Sequence, residues 1–143
     1  MPSPMCLLYM SRATRPMAMA EIDGLLERAR TRNEALGVTG ALLHYSGRFM
    51  QVLEGEPESV EGCFRRILDD VRHAGVRRLH AAPIEAPRFV QWSMRYISAT
   101  GTPDRAVASF LDQLEHDPTP GGVRQAIELL HRLAGGSAHW QVR

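Results

Sequence analysis

A two-layer α+β sandwich, one sheet with helices packed against it, is the fold class this sequence predicts. Three observations predict it. Strand-like and helix-like segments follow the order β-α-β-β-α-β between Met5 and Glu85. The turn Tyr45-Ser46-Gly47 joins the two middle strand-like runs into a hairpin that stands between two amphipathic helices. A further strand-like run and two more amphipathic segments then follow. A hairpin placed between two helices in that order is the ferredoxin-like arrangement. Here it carries an extra strand and two C-terminal helices.

Each element has a local reason. MCLLYMS (Met5–Ser11) is nearly all apolar and suits a first strand. From Met19 to Asn33, Ile22, Leu26 and Ala29 recur at helical spacing, and Gly37 ends the connection that follows. VTGALLHY (Val38–Tyr45) and RFMQVLEG (Arg48–Gly55) are the hairpin strands. Pro57 suits the first position of a second helix reaching Val71, with the stripe Val60, Phe64, Ile67, Val71. A fourth strand lies within Val76–Glu85, and QWSMRYIS (Gln91–Ser98) is a fifth. TGTPDR (Thr100–Arg105) marks a break. One helix then begins after Thr102, with Pro103 in its first turn, and carries Val107, Phe110, Leu111 and Leu114. Another begins after Thr119, carries Val123, Ile127, Leu130 and Leu133, and stops at Gly135-Gly136. A two-layer sandwich leaves one sheet face bare, so these helices either cover it in cis or form a dimer interface.

Composition narrows the chemistry. The 143 residues, 44% of them hydrophobic, fit one domain with a small appendage. The net charge of +1, with no basic block or aromatic-laced basic stripe, gives no sign of nucleic-acid binding. All 17 basic residues are arginine, which excludes Walker-type phosphate loops and the Schiff-base and pyridoxal mechanisms that need a lysine. Cys6 and Cys63 lack metal-ligand spacing and read as small buried hydrophobes in a reducing compartment. The N-terminal stretch has no basic region followed by a long apolar run, and no apolar stretch approaches the roughly 20 residues of a membrane span. A cytoplasmic protein without membrane contact is expected.

Polar residues stand where a core should be. In RFMQVLEG, Phe49, Gln51 and Leu53 share a face, so a glutamine lies between two apolar residues. An unpaired buried amide costs about 1–3 kcal/mol, so Gln51 needs a partner. Tyr9 on the first strand points the same way. Asn33 continues the apolar stripe of the first helix, and Arg66 flanks that of the second, with Asp70 one turn on. Taken singly, each has an ordinary explanation: Tyr9 at the rim of a core, Asn33 as a helix C-cap, Arg66 and Asp70 as a surface ion pair, Gln51 bonded to a neighbouring backbone. Together they would satisfy the edge of a planar heterocycle, its faces sandwiched by Leu25 and Ile67.

With these residues in view, the chain resembles a BLUF domain, a blue-light sensor that binds a flavin. The resemblance is carried by LLYMSRA (Leu7–Ala13), NEALGVTGALL (Asn33–Leu43), GRFMQVLEG (Gly47–Gly55), FRRILDDVRH (Phe64–His73) and FVQWSM (Phe89–Met94). It implies that Tyr9 is the photoactive tyrosine and Gln51 the glutamine bridging it to the flavin. Asn33 would hold the O4/N3 side of the ring and Arg66 its O2 side, Leu25 and Ile67 would clasp it, and Arg32 and Asp70 complete the binding set. Trp92 and Met94 match signal-reporting positions on the last strand. The expected cofactor is FAD, with FMN or riboflavin as alternatives. Val71, Pro87 and His44 depart from common family residues (proline, arginine and tyrosine), without touching the tyrosine–glutamine pair.

The resulting expectation is a non-enzymatic photoreceptor. Residues 1–98 form the flavin-binding sensor domain and 99–143 a C-terminal helical extension. The signal would pass to a separate downstream protein or through self-association, with a homo-oligomer expected. Two rivals are a light-insensitive flavin or heterocycle module and an acylphosphatase-like hydrolase. The second lacks a Gly-rich anion loop, and His73, His80, His116 and His131 lack zinc-ligand spacing and read as solvent-facing.

Overall fold

The structure, a computed structural model, describes residues 3–99, 105–136 and 140–143. Its elements are β1 (Met5–Ala13), α1 (Met19–Leu36), β2 (Thr39–Tyr45), β3 (Arg48–Gly55), α2 (Pro57–Leu68), β4 (His73–Pro83), β5 (Arg95–Ala99), α3 (Arg105–His116), α4 (Pro120–Ala134) and β6 (Trp140–Val142). They form one sheet in the order β4-β1-β3-β2-β5-β6. The first four strands pair antiparallel, β5 joins β2 in parallel, and β6 returns antiparallel to β5. The fold is the ferredoxin-like α+β sandwich, extended at one edge. β6 is new relative to the sequence reading, and its three residues are too short to show alternation.

The β2–β3 hairpin turns through Ser46 and Gly47, both at positive φ (54° and 73°), the mirror-image turn that matches strand twist. α1 runs to Leu36 and is capped by Gly37 at φ 68°, so the cap role considered for Asn33 falls to the glycine and Asn33 is buried inside the helix. α2 ends at Leu68 rather than Val71, and Val71 is 85% exposed, outside the expected stripe. Cys63 takes a buried place on that helix instead. β4 starts three residues before the expected Val76, at His73. Its pairing with β1 shifts register twice, and such bulges erase the alternation by which a strand start is read.

Strand alternation divides the core in two. Leu7, Tyr9, Phe49 and Leu53 pack under α1 and α2 with Ile22, Leu26, Val60 and Phe64. Leu8, Met10, Met50 and Val52 face the other way, into a cluster with Leu111, Leu114, Val123, Ala126, Leu130 and Leu133. The C-terminal helices therefore cover the far face in cis. Thr119 caps α4, its hydroxyl accepting from Gly122 N at 2.9 Å, as its position before Pro120 suggested. The expected α3 start at Thr102 and Pro103 lies outside the described residues. Arg48 pairs with Asp112 and Glu115, and Arg12 with Glu115, tying α3 to β3 and β1. Among the described residues no helix is long and apolar enough to cross a membrane.

β5 begins at Arg95, not Gln91. In a strand, Trp92 and Met94 would share a face. Here Met94 packs under α1 and α2 while Trp92 packs against the far-face cluster. Both lie in the connection before β5, not on the last strand. Gly40 N donates to Trp92 O at 3.0 Å, and strand pairing proper starts only at Ala41 opposite Arg95.

Candidate functional site

Tyr9 and Gln51 are direct cross-strand neighbours on β1 and β3. The Tyr9 hydroxyl donates to Gln51 Oε1, and Gln51 Nε2 donates to Met94 Sδ at 3.1 Å. The amide on this apolar face is thus bonded at both ends. Tyr9 is fully buried, with Phe64 and His73 beside its ring at 5.7 and 6.2 Å between centroids. Burial, reinforced by the negative charge of Asp70, pushes its ionisation far upward, so the phenol stays neutral and keeps its proton to donate.

Asn33 connects α1 to the segment before β5. Its Nδ2 donates to Ser93 O at 2.7 Å, and its Oδ1 accepts from Cys63 Sγ at 3.6 Å. Asp70 does not pair with Arg66 as helical spacing suggested. α2 stops at Leu68, which removes the i,i+4 geometry, and Asp70 instead grips Arg72. It accepts from the Arg72 backbone N at 3.0 Å, from Nε at 2.9 Å and from Nη2 at 2.8 Å. Burial works to raise the Asp70 pKa, but these bonds and the arginine charge outweigh it and hold the carboxyl below its usual range.

These residues line a cavity of about 510 Å³ bounded by α1, α2 and the sheet, a size suited to a small-molecule site. Tyr9, Leu25, Arg32, Asn33, Gln51, Arg66, Ile67, Asp70 and Met94 all contribute. Trp92 does not. Its ring lies 6.2 Å from Phe89 and 6.1 Å from His131, with the Arg95 guanidinium 5.6 Å over it. Sequence reasoning missed Arg28, Cys63, Arg72 and His73 in the lining. His73 is not solvent-facing: its Nδ1 lies 2.7 Å from Ser11 Oγ and its ring 4.7 Å from Phe49, and burial lowers its pKa. Because α2 ends at Leu68, Arg72 and His73 turn toward the cavity while Val71 just before them stays exposed, an arrangement that helical periodicity does not show.

The donor set fits a flavin. Leu25 and Ile67 supply apolar surface from opposite helices, Gln51 and Asn33 present amides, and Arg72 is a cation oriented by Asp70. The family model for BLUF, sensors of blue-light using FAD, matches residues 5–95. Photoactivated adenylate cyclase subunit beta of Euglena gracilis is 40% identical over 79 residues, which is 55% of this chain and 9% of that protein. The chain spans only 8 to 11% of such curated relatives. The dark-state structure of BlrB, a BLUF protein, superposes with a TM-score of 0.71 at 32% identity, covering 92% of this chain and 95% of that one. The photo-activated state of BlsA gives a TM-score of 0.74 at 25% identity, covering 90% and 94%.

Proposed function

The chain belongs to the BLUF family of blue-light sensors that use FAD, and from that premise we propose that Tyr9, Gln51 and Met94 form its light switch. Asn33 and Gln51 hold the polar edge of the flavin, and Leu25 and Ile67 hold its faces. Arg72, fixed by Asp70 and partly buried, is better placed beside the ring than Arg66. Arg66 and Arg32 are exposed and take the outer, side-chain end of the cofactor.

The flavin, when bound, supplies blue absorption and an excited state that withdraws an electron from a nearby phenol. Everything else belongs to the chain. Tyr9 would be the phenol that is drawn on, and its hydrogen bond to Gln51 Oε1 is the path along which its proton would shift. The Gln51 amide is left rotated or tautomerised, and its bond to Met94 Sδ is given up. Exchanging one or two buried hydrogen bonds, at about 1 kcal/mol net each, involves about 1–2 kcal/mol, enough to bias a two-state element. The segment before β5, its Met94 side chain free of that one bond, carries the change to the far face, where Trp92 meets α4 at His131.

Residues 1–98 are the sensing part and 99–143 the relay, acting on a separate cytoplasmic protein or on self-association into a homo-oligomer. The chain itself catalyses nothing in this reading. The Tyr9–Gln51–Met94 hydrogen-bond chain on the cavity wall carries the proposal. Visible spectra in darkness and after a blue flash test it, with Gln51→Leu alongside. A flavin band that shifts slightly red, relaxes in the dark, and loses the shift in the variant is expected. A band that never moves reduces the site to a binding module, and a colourless protein after refolding with FAD overturns the reading.

A further inference from the structure

Glu54 is 2% exposed, although it is a carboxylate on the face occupied by Met50, Val52 and Phe89. A buried charge is costly unless it is bonded. Its Oε1 accepts from two consecutive backbone N–H groups, Arg88 N at 2.8 Å and Phe89 N at 2.9 Å. Those residues belong to the strap 84–94 that connects β4 to β5. The strap is held at further points: Ile84 N donates to Pro4 O at 2.8 Å, Gly40 N to Trp92 O at 3.0 Å and Asn33 Nδ2 to Ser93 O at 2.7 Å. Gln51 Nε2 then meets Met94 Sδ, and Arg30 Nε donates to Met94 O at 2.8 Å.

The strap thus begins on the far face, with Phe89 edge-on to His131 at 5.4 Å, and ends on the cavity face at Met94. β3 grips it twice. Gln51 holds Met94 through a weak thioether acceptor, and Glu54 holds Arg88 and Phe89 through charge-assisted bonds of about twice the neutral strength. One grip is easily exchanged and the other is firm.

We propose that Glu54 is a positioning residue that anchors the strap at Arg88–Phe89, so that a change at Gln51–Met94 moves only Val90–Met94 and is delivered to the Trp92–His131 contact with α4. The anchor stands on geometry alone; its coupling to light rests on the switch proposed above.

Amide hydrogen exchange on the flavin-free protein, followed by dark-recovery kinetics on the FAD-loaded protein, tests both parts. In Glu54→Ala, exchange at Phe89 and Trp92 should rise about tenfold or more while β1 and β3 amides stay protected. Glu54→Gln keeps an uncharged acceptor and should show a smaller rise, which decides the matter if the alanine variant does not fold. In the unmutated protein the Phe89 amide should exchange as slowly as those of β3, and loop-like exchange there overturns the anchor whatever the variants do. Unchanged Phe89 and Trp92 exchange in a folded variant also overturns it. With the strap loosened, recovery after a flash should be several-fold faster, and an unchanged rate overturns the coupling. An unmutated protein that binds FAD without responding to light instead removes the switch, and the exchange data still judge the anchor.

Discussion

On β1, Leu8 and Met10 point toward α3 and α4 while Leu7 and Tyr9 point toward α1 and α2. β3 divides Met50 and Val52 from Phe49 and Gln51 in the same way. The far face is filled, with Leu8, Leu111, Leu130 and Ala134 all nearly inaccessible. The other face carries the 510 Å³ cavity over Tyr9 and Gln51, and its polar groups bond mostly to one another. One sheet therefore holds a packed support and a rearrangeable site separated by a single strand thickness. A close-packed face transmits displacement and a cavity permits it, so neither would make a switch alone.

The largest expected effect comes from perturbing each face separately. Tyr9→Phe should abolish the light-induced red shift, because no phenol proton remains to move. The Gln51 acceptor it leaves unpaired should cost about 1–3 kcal/mol in the flavin-free protein. Leu130→Ala should do the reverse, lowering stability by about 2–5 kcal/mol while the folded fraction keeps its red shift. Urea unfolding and light-minus-dark spectra on both variants check this. Loss of the shift in Leu130→Ala would erase the division of labour.

Acid provides a milder separation. Burial lowers the pKa of both His44 and His73, and both lie beside Phe49 on the cavity face, His44 stacked on its ring and His73 tilted against it. A histidine whose folded value is depressed favours the folded state above its ordinary value of about 6.5, and that contribution is lost as pH falls through the folded value. Stability should therefore decline below pH about 6.5, and a His44→Phe, His73→Phe double variant should flatten that decline. Urea midpoints across pH measure it, and an unchanged slope would move the acid-labile groups elsewhere.

How much of this was legible follows from the same division. The far face could be read because leucines at helical spacing have one explanation, and both C-terminal helices lie where their stripes required. Tyr9, Gln51 and Asn33 could be read because a polar residue on an apolar stripe demands a partner. Arg72 and His73 could not. Their direction depends on α2 ending at Leu68, and helix ends are set by local caps that periodicity does not encode. Trp92 misled for a related reason. QWSMRYIS alternates well enough for a strand, but the backbone and side-chain bonds to Trp92, Ser93 and Met94 hold that segment out of the sheet until Arg95.

The smallest effect lies at the cavity mouth. Arg28 and Arg32 from α1 and Arg66 from α2 are exposed there, with Asp69 offsetting one charge and Asp70 already bound by Arg72. These arginines face the end of the site where a flavin side chain leaves, so a phosphate should be attracted and an uncharged ribityl chain should not. FMN and FAD should then bind a few-fold tighter than riboflavin at low salt. The gap should close near 1 M salt, where the screening length falls to about 3 Å. FMN and FAD should differ little from each other, because the aromatic rings in the described lining, Tyr9 and His73, both sit at the sheet rather than at the mouth. Fluorescence titrations of the three flavins at two salt concentrations make the comparison. Riboflavin binding as tightly as FMN at low salt would mean that the mouth arginines serve solubility and that the cavity reads the ring alone.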